Sequence, residues 1–207
     1  MEKILITMEG PDGAGKSTQI AMLKEYFEKQ GKSVLVTRDP GGNKISEAVR
    51  SVILNKEYTE MAPVTELLLY ASARAQLVAE VIKPALDAGT VVICDRFVDS
   101  NAVYQGIARG LGIDTVYAVN QYALQGVEVL LTIHLDLSAE EGIKRKKNQA
   151  ELDRMEMEDI SFHQQVVEGY RTLAAQNPGR IVTIDATLPA EEIHAKILGA
   201  VSAKLQA

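Results

Sequence analysis

Nine consecutive residues near the start of the chain, Gly10-Pro11-Asp12-Gly13-Ala14-Gly15-Lys16-Ser17-Thr18, have the types and spacing that polyphosphate binding requires. They satisfy Gly-x-x-x-x-Gly-Lys-Ser, with a short β-like run before them (Ile4 to Met8) and a helical pattern after them (Lys16 to about Gln30). Glycines let the main chain curl so that successive N–H groups converge on phosphate oxygens. The following helix N-terminus adds its own unpaired donors and its dipole. Lys16 is placed to reach β- and γ-phosphates, and the Ser17 hydroxyl to ligate Mg²⁺. A turn that merely joined strand to helix would not need Lys-Ser at that spacing.

Five further groups can do chemistry. Val91-Val92-Ile93-Cys94 is an apolar run that delivers Asp95-Arg96-Phe97 at its end, the end where parallel α/β sheets bind ligands. Asp95 can hold Mg²⁺ through water or position Lys16, and Arg96 can fork onto a phosphate. Without the glycine loop the same pair would read as a strand-end ion pair. Arg38-Asp39-Pro40-Gly41-Gly42 is a stiff, sharply turning segment, with Asp39–Pro40 a candidate cis peptide, or else an ordinary surface turn. The run Asp99 to Gly106, followed by Arg109-Gly110, sets Asn101 four residues before Gln105 and Ser100 four before Tyr104. On a helix these form two polar rows, and an amide offers a base edge both a donor and an acceptor; a solvated face is the alternative. Tyr70 and Arg74 stand one helical turn apart, a ring to stack and a guanidinium to hydrogen-bond, or, beside Leu67, Leu68 and Leu69, simply core. Lys144-Arg145-Lys146-Lys147 and Asp153-Arg154 come last. Charge runs are mostly solvated, but phosphoryl transfer needs more positive charge than Lys16 supplies, and a closing lid arginine would bring it.

The elements that must position these groups follow from the apolar pattern. Strand-like runs recur at Ile4–Met8, Ser33–Thr37, Val91–Cys94, Val129–Leu135 and Ile181–Ile184. Nearly continuous apolar runs separated by helical segments predict a parallel sheet covered on both faces. Helices are expected at about Lys16–Gln30, Lys44–Leu54, Pro63–Asp87, Thr115–Gln125, Ala139–Asn148, Ser161–Gln176 and Ala190–Leu205. In the first, Ile20, Leu23 and Phe27 share a face, Glu25 and Lys29 pair outside, and Gly31 is a C′ stop. Pro63 suits the first helical position, and Pro84 bends or ends the last turn of the same long helix. Lys144–Asp159, rich in both charge signs, reads as a mobile surface segment. A chain of 207 residues, 46% hydrophobic and 24% charged, fits one soluble domain, residues 1–207, with an inserted lid at about 144–158.

Composition excludes several classes. A net charge of −6 argues against a nucleic-acid polymer as partner, so anion binding must come from a locally basic pocket. No apolar run approaches membrane-spanning length, and no signal-peptide pattern precedes the first strand. The single cysteine, Cys94, suits a reducing cytoplasm and reads as a core residue. His134, His163 and His194 lack metal-ligand spacing. One Mg²⁺ carried with the nucleotide is therefore expected, and no structural metal.

The groups, in this order, resemble the thymidylate kinase family over nearly the whole chain. Gly10–Thr18 is similar to its phosphate loop, Arg38–Gly42 to its Arg-Glu-Pro-Gly-Gly turn, and Leu152-Asp153-Arg154-Met155-Glu156 to its lid end. Asp95-Arg96-Phe97 with Ser100–Gly106 resembles the family's most specific signature, Asp-Arg-Tyr-x-x-Ser-x-x-Ala-Tyr-Gln-Gly. The resemblance implies an α/β P-loop NTPase fold with a five-stranded parallel sheet, helices on both faces and a short lid. It implies Mg²⁺-dependent transfer from ATP to dTMP without a covalent intermediate, in the cytoplasm, by a homodimer. By the same resemblance Gly10 to Thr18 bind ATP, Ser17 ligates the metal, and Asp12 lies near the metal and the 3′-hydroxyl of dTMP. Arg50 and Arg96, with Arg38 nearby, grip the acceptor phosphate. Tyr70 stacks on thymine, Arg74 reads O4, Asn101 and Gln105 read the N3 side with Ser100 beside them, and Tyr104 excludes a ribose 2′-hydroxyl. Asp39, Asn43 and Phe97 depart from the family's commoner Glu, Thr and Tyr or His, and Phe97 removes a polar group from the site's edge. Gly13-Ala14 stands where some relatives carry an arginine. The catalytic arginine should then come from the lid, Arg145 first and Arg154 second.

Two other readings remain open. Another P-loop kinase for a deoxynucleoside or nucleotide would share the loop but not the Ser100–Gly106 signature. A GTPase-like switch needs Asn-Lys-x-Asp after a strand, and the nearest string, Asn55-Lys56-Glu57-Tyr58, lacks the Asp.

Overall fold

The computed structural model describes residues 3–146 and 153–206. Lys147 and Leu152, of the basic run and the lid end, lie outside them, as does the tip of the expected 144–158 lid. Five parallel strands form one sheet in the order β2-β3-β1-β4-β5. They are β1 (Leu5–Glu9), β2 (Val34–Arg38), β3 (Val91–Asp95), β4 (Leu131–Asp136) and β5 (Ile181–Asp185). Register runs Met8 beside Asp95 and Glu9 beside His134, so both the glycine loop and Asp95-Arg96 leave the same edge of the sheet. No helix among the described residues is long and apolar enough to cross a membrane.

One face of the sheet is apolar in the ordinary way. Ile6, Met8, Ile93, Ile133 and Leu135 pack under α1 (Lys16–Lys29) and α9 (Ala190–Leu205), together with Leu23, Phe27 and Ile197. Helix α1 ends as expected: Lys32 N donates to Phe27 O at 3.1 Å and Gly31 N to Glu28 O at 2.9 Å, the paired bonds of a Schellman motif, with Gly31 at φ 74°. The opposite face is mixed. Leu5, Val92 and Cys94 pack beneath the long helix, while Thr7, Glu9, Thr132 and His134 are buried and polar. Side chains alternate along a strand, so β1 and β4 carry a polar stripe that continuous apolarity had not led one to expect.

The long helix of residues 63–87 is present but not uniform. Helix α3 (Pro63–Leu77) passes through a π-helical turn, Val78–Ile82, into α4 (Lys83–Asp87). Pro84 has no N–H to give the carbonyl of Glu80 and its ring would press on it; a widened turn just upstream lets the helix continue. The 99–106 run is likewise α5 (Val98–Asn101) followed by a π-helical stretch, Ala102–Ala108. Helix α2 (Lys44–Ile53) is capped by Asn43, whose Oδ1 accepts from Ser46 N at 2.9 Å. Helices α6 (Ile113–Leu124), α7 (Ala139–Lys146) and α8 (Ile160–Gln176) complete the chain. The Asp39–Pro40 peptide is cis.

Candidate active site

The loop after β1 ends on Gly15, at φ 88°, and no side chain caps the N-terminus of α1. Its first amides are left for an anion. Gly10, at φ 132°, lies so close to Leu135 that a Cβ there would press into the Leu135 carbonyl oxygen. Lys16 folds back over the loop, Nζ donating to Gly10 O and Pro11 O, both at 3.0 Å. Burial, and then the Arg96 charge, lower its pKa to about 8, against the pull of Asp12 and Asp95.

A cavity of about 450 Å³ opens from this loop. Asp12, Gly13, Gly15, Lys16, Ser17 and Thr18 line one end; Gly10, Pro11 and Ala14 support the turn from behind. All nine expected substrate residues line the same cavity: Arg38, Arg50, Tyr70, Arg74, Arg96, Ser100, Asn101, Tyr104 and Gln105. Asp95 lines it too, and its Oδ1 is buried without a hydrogen-bond partner. Such a carboxylate oxygen, with the Ser17 hydroxyl, fits a hydrated divalent cation.

Arg74 forms the floor and is 1% exposed. Its Nε donates to Asp39 Oδ2 at 2.5 Å, Nη1 to Asn101 Oδ1 at 2.9 Å and also to Asn120 Oδ1, and Nη2 to Phe97 O at 3.3 Å. Asn101 Nδ2 donates to Gln105 Oε1 at 2.6 Å, and Gln105 Nε2 to Glu66 Oε1 at 2.7 Å. A guanidinium only donates and an ionised carboxylate only accepts. Arg74 at one end and Glu66 at the other therefore fix the orientation of both amides between them. Phe97 does not stand at the site's edge. It is buried beneath Arg74, whose guanidinium carbon lies 5.4 Å from its ring centre.

The two lid arginines part company. Arg145 lies against the loop, Nη1 donating to Gly13 O and to Ala186 O at 3.3 Å and Nε to Glu141 at 3.0 Å. The approach depends on facing glycines: a Cβ on Gly13 would come within 2.7 Å of Gly142 O. The structure does not bring Arg154 to the phosphate end. Arg154 is buried, its Nε donating to Ile53 O at 2.8 Å and its Nη2 2.6 Å from Glu66 Oε2. Glu66 is fully buried and also pairs with Arg109 at 3.2 Å, and two cations compensate its desolvation better than one. Met155 is buried as well, so this end of the segment is anchored rather than a mobile surface.

Several residues of the site had no place in the sequence reading. Glu66 stands one turn before Tyr70 on the same helical face, a spacing that was available. Asn120 comes from a distant helix and carried no signal. Glu9 is the third. It is 0% exposed on the polar stripe of β1. Phe97 N donates to its Oε1 at 2.8 Å; Ser100 Oγ and Tyr170 Oη donate to its Oε2 at 2.5 and 3.0 Å. Burial, and then the Asp99 charge, raise its pKa to about 7, against the Ser100 bond and Arg96. Asp99 in turn is held by Arg180 at 2.6 and 2.9 Å.

A parallel sheet with an uncapped glycine loop after its first strand and an Asp-Arg at the end of the neighbouring strand defines a P-loop phosphotransferase, here with its cavity running from the loop onto a polar floor. The particular family follows from comparison with known proteins. The chain belongs to the thymidylate kinase family, whose model matches residues 8–197. A thymidylate kinase of Geobacillus thermodenitrificans is 46% identical over 208 residues, covering 100% of this chain and 92% of that one. One of Bacillus pumilus is 48% identical over 200 residues, covering 96% and 94%. The crystal structure of thymidylate kinase from Ehrlichia chaffeensis is similar with a TM-score of 0.77 at 28% identity, covering 96% and 98% of the two chains.

The raised pKa of Glu9 makes a signed prediction. Between its ordinary value of 4.5 and about 7 the folded state holds a proton that the unfolded chain has lost. Stability contributed by this group therefore falls as pH rises through that window and is flat above it. Glu9→Gln should remove that slope, so between pH 5 and pH 8 the variant should gain on the parent by on the order of 2–3 kcal/mol. Urea unfolding of both proteins at pH 5 and pH 8 checks this; equal differences at the two pH values would refute it.

Proposed function

We propose that this chain transfers the γ-phosphoryl group of ATP to dTMP, giving dTDP and ADP, by direct in-line displacement. The acceptor phosphate oxygen forms the new P–O bond as the bond to the β-phosphate oxygen breaks. The family match supports the reaction. The observation that carries it is the hydrogen-bond arithmetic of the floor facing the loop. Arg74 has five N–H groups and spends four inside the protein; Asn101 has two and spends one, while both lone pairs of its Oδ1 are taken. Each can offer the cavity one N–H and nothing else. Two donors suit the 4-keto oxygen of thymine and oppose the 4-amino group of cytosine. Tyr70, half-buried on the same wall, supplies the stacking face, and Gln105 keeps an Oε1 lone pair for N3–H.

In this reading the loop amides and Lys16 hold the ATP phosphates, Arg96, Arg50 and Arg38 the acceptor phosphate, and Tyr104 crowds the ribose 2′-position. Asp12, whose Oδ1 accepts from Arg96 Nη2 at 3.0 Å, orients that arginine toward the loop. Mg²⁺ accompanies the nucleotide, and Ser17 and Asp95 are the residues that would hold it; when bound it supplies charge neutralisation on the phosphates. Arg145, already on the loop, is the lid arginine that meets the transferred group, and Arg154 holds the lid end in place. Positioning and charge suffice for such a transfer. The lid is residues 144–158 within one domain of the cytoplasm. Large apolar side chains exposed on three helices that pack in sequence, Ile45 and Val52 on α2, Val64 and Leu68 on α3 and Tyr122 on α6, support a homodimer; a single protomer mass by light scattering at micromolar concentration would refute that.

A coupled assay over dTMP, dUMP, dCMP, UMP and AMP should give turnover with dTMP and dUMP and at least about 100-fold lower kcat/KM with dCMP, the size expected when polar groups are left unpaired. Equal turnover of AMP and dTMP would end the thymine reading. In the same assay Arg145→Ala should lower kcat by about 10²–10³-fold with KM for dTMP little changed. Lys16 yields a separate test. With a pKa of about 8 in the free protein, and bound phosphate pulling it upward, nucleotide binding at pH 8 should take up about half a proton. Calorimetry in two buffers of different ionisation enthalpy measures it, and no uptake would contradict the assignment.

A further inference from the structure

Arg96 has φ 64°, a left-handed backbone that a bulky side chain adopts only when its surroundings impose it. Bonds on both sides hold it: Arg96 N donates to Met8 O at 3.0 Å, and the residue that follows is tied as well. Phe97 N donates to Glu9 Oε1 at 2.8 Å, so the peptide immediately after Arg96 is tied to the floor of the sheet by a buried carboxylate. The other carboxylate oxygen takes the Ser100 and Tyr170 hydroxyls at 2.5 and 3.0 Å. Those are the same two hydroxyls that accept from Arg96 Nη1, at 3.4 and 3.2 Å. A hydroxyl has one proton. The two hydroxyls also lie 2.7 Å apart, so with the Ser100 proton on Glu9 the Tyr170 proton is divided between Glu9 Oε2 and Ser100 Oγ, and in either placement both oxygens keep a lone pair for the guanidinium. Asp12 takes Nη2, and the Tyr104 ring centre lies 5.4 Å from the guanidinium carbon. Glu9 thus acts on Arg96 at both ends, through Phe97 N at its backbone and through two hydroxyls at its head, beside the direct contacts of Asp12 and Tyr104.

We propose that Glu9 is a positioning residue for phosphoryl transfer: through Phe97 N, Ser100 and Tyr170 it holds Arg96 in the conformation that meets the acceptor phosphate. The inference rests on the dTMP kinase reading. Gln in place of Glu9 keeps one oxygen for Phe97 N but presents an N–H₂ to the two hydroxyls. They must then accept from it and turn a proton toward Arg96. The relay is inverted with little change of shape.

Steady-state kinetics of the full chain, with both substrates varied, test this. Glu9→Gln should lower kcat/KM for dTMP by about 10- to 100-fold, the scale of a catalytic group displaced by about an ångström, and leave KM for ATP within about twofold. At pH 8 its melting temperature should not fall below that of the parent, so the loss cannot be one of folding. Tyr170→Phe should lower kcat/KM for dTMP in the same direction, and adding it to Glu9→Gln should cost less than the product of the two separate losses, because both act through one relay. If Glu9→Gln keeps kcat/KM for dTMP within about threefold, or loses ATP and dTMP alike with a lowered melting temperature, the positioning role is wrong. A parent protein that does not phosphorylate dTMP at all would instead overturn the reading on which it rests.

Discussion

Positive charge cannot be kept inside a protein unless negative charge or fixed dipoles are kept beside it, because desolvating an unpaired cation costs several kcal/mol. This chain is acidic, with a net charge of −6, yet its cleft concentrates Lys16, Arg50, Arg74, Arg96 and, on the loop itself, Arg145. The acidic residues around them are the condition for that concentration. Asp39 neutralises Arg74, Asp12 meets Arg96, Glu141 meets Arg145, and Glu66 serves Arg109 and Arg154 together. Lys16 is compensated mostly by carbonyl oxygens and by Asp12 at 3.9 Å, and it is the cation whose charge burial weakens most plainly. A phosphate arriving there supplies what the loop lacks, so the site is preorganised around its least compensated cation.

The same rule explains the polar stripe beneath the loop. Thr7, Glu9, Thr132 and His134 share one face of the two central strands, and each is drawn into a bonded set rather than left alone. Thr7 and Thr132 hydroxyls lie 2.8 Å apart, Thr132 donates to Asp99, and Arg180 clasps Asp99 from β5's edge. Glu9 forms a second set beside it, bonded to Phe97 N, Ser100 and Tyr170, and passes its constraint into the turn that carries Arg96. An apolar floor would be more stable but could not aim a guanidinium. His134 joins through Nδ1, 3.1 Å from Thr183 Oγ1, while its Nε2 is left buried without a partner.

Much of the fold was legible in the residues. Five strands and the main helices were found within two or three residues of their ends, since short apolar runs bounded by turn signals and amphipathic helical periods are strong local signals. The glycine loop was legible because its function uses main-chain amides, which need only glycines, a lysine and a hydroxyl at fixed offsets. Asn101 with Gln105 was legible as a pair, yet the π-helical stretch that follows was not, because a widened turn answers to packing rather than to spacing. Continuous apolarity was assigned to the central strands although Thr132 and His134 alternate with Leu131, Ile133 and Leu135. Reading that alternation would have pointed to a polar floor and so to Glu9.

What the sequence determined by itself is whatever depends on near neighbours in the chain: the loop and its helix, the C′ stop at Gly31, the Asp95-Arg96 pair at a strand end, and the polar rows of the 99–106 run. The tertiary structure alone decided which charge meets which. It put Arg145 on the loop through facing glycines, withdrew Arg154 to Glu66, buried Phe97 under Arg74, and hung Arg96 on Glu9, 87 residues away in the chain. Pairing energies depend on distance and burial, and neither is written in the order of residues; only the folded sheet and the helices laid across it bring those partners within reach.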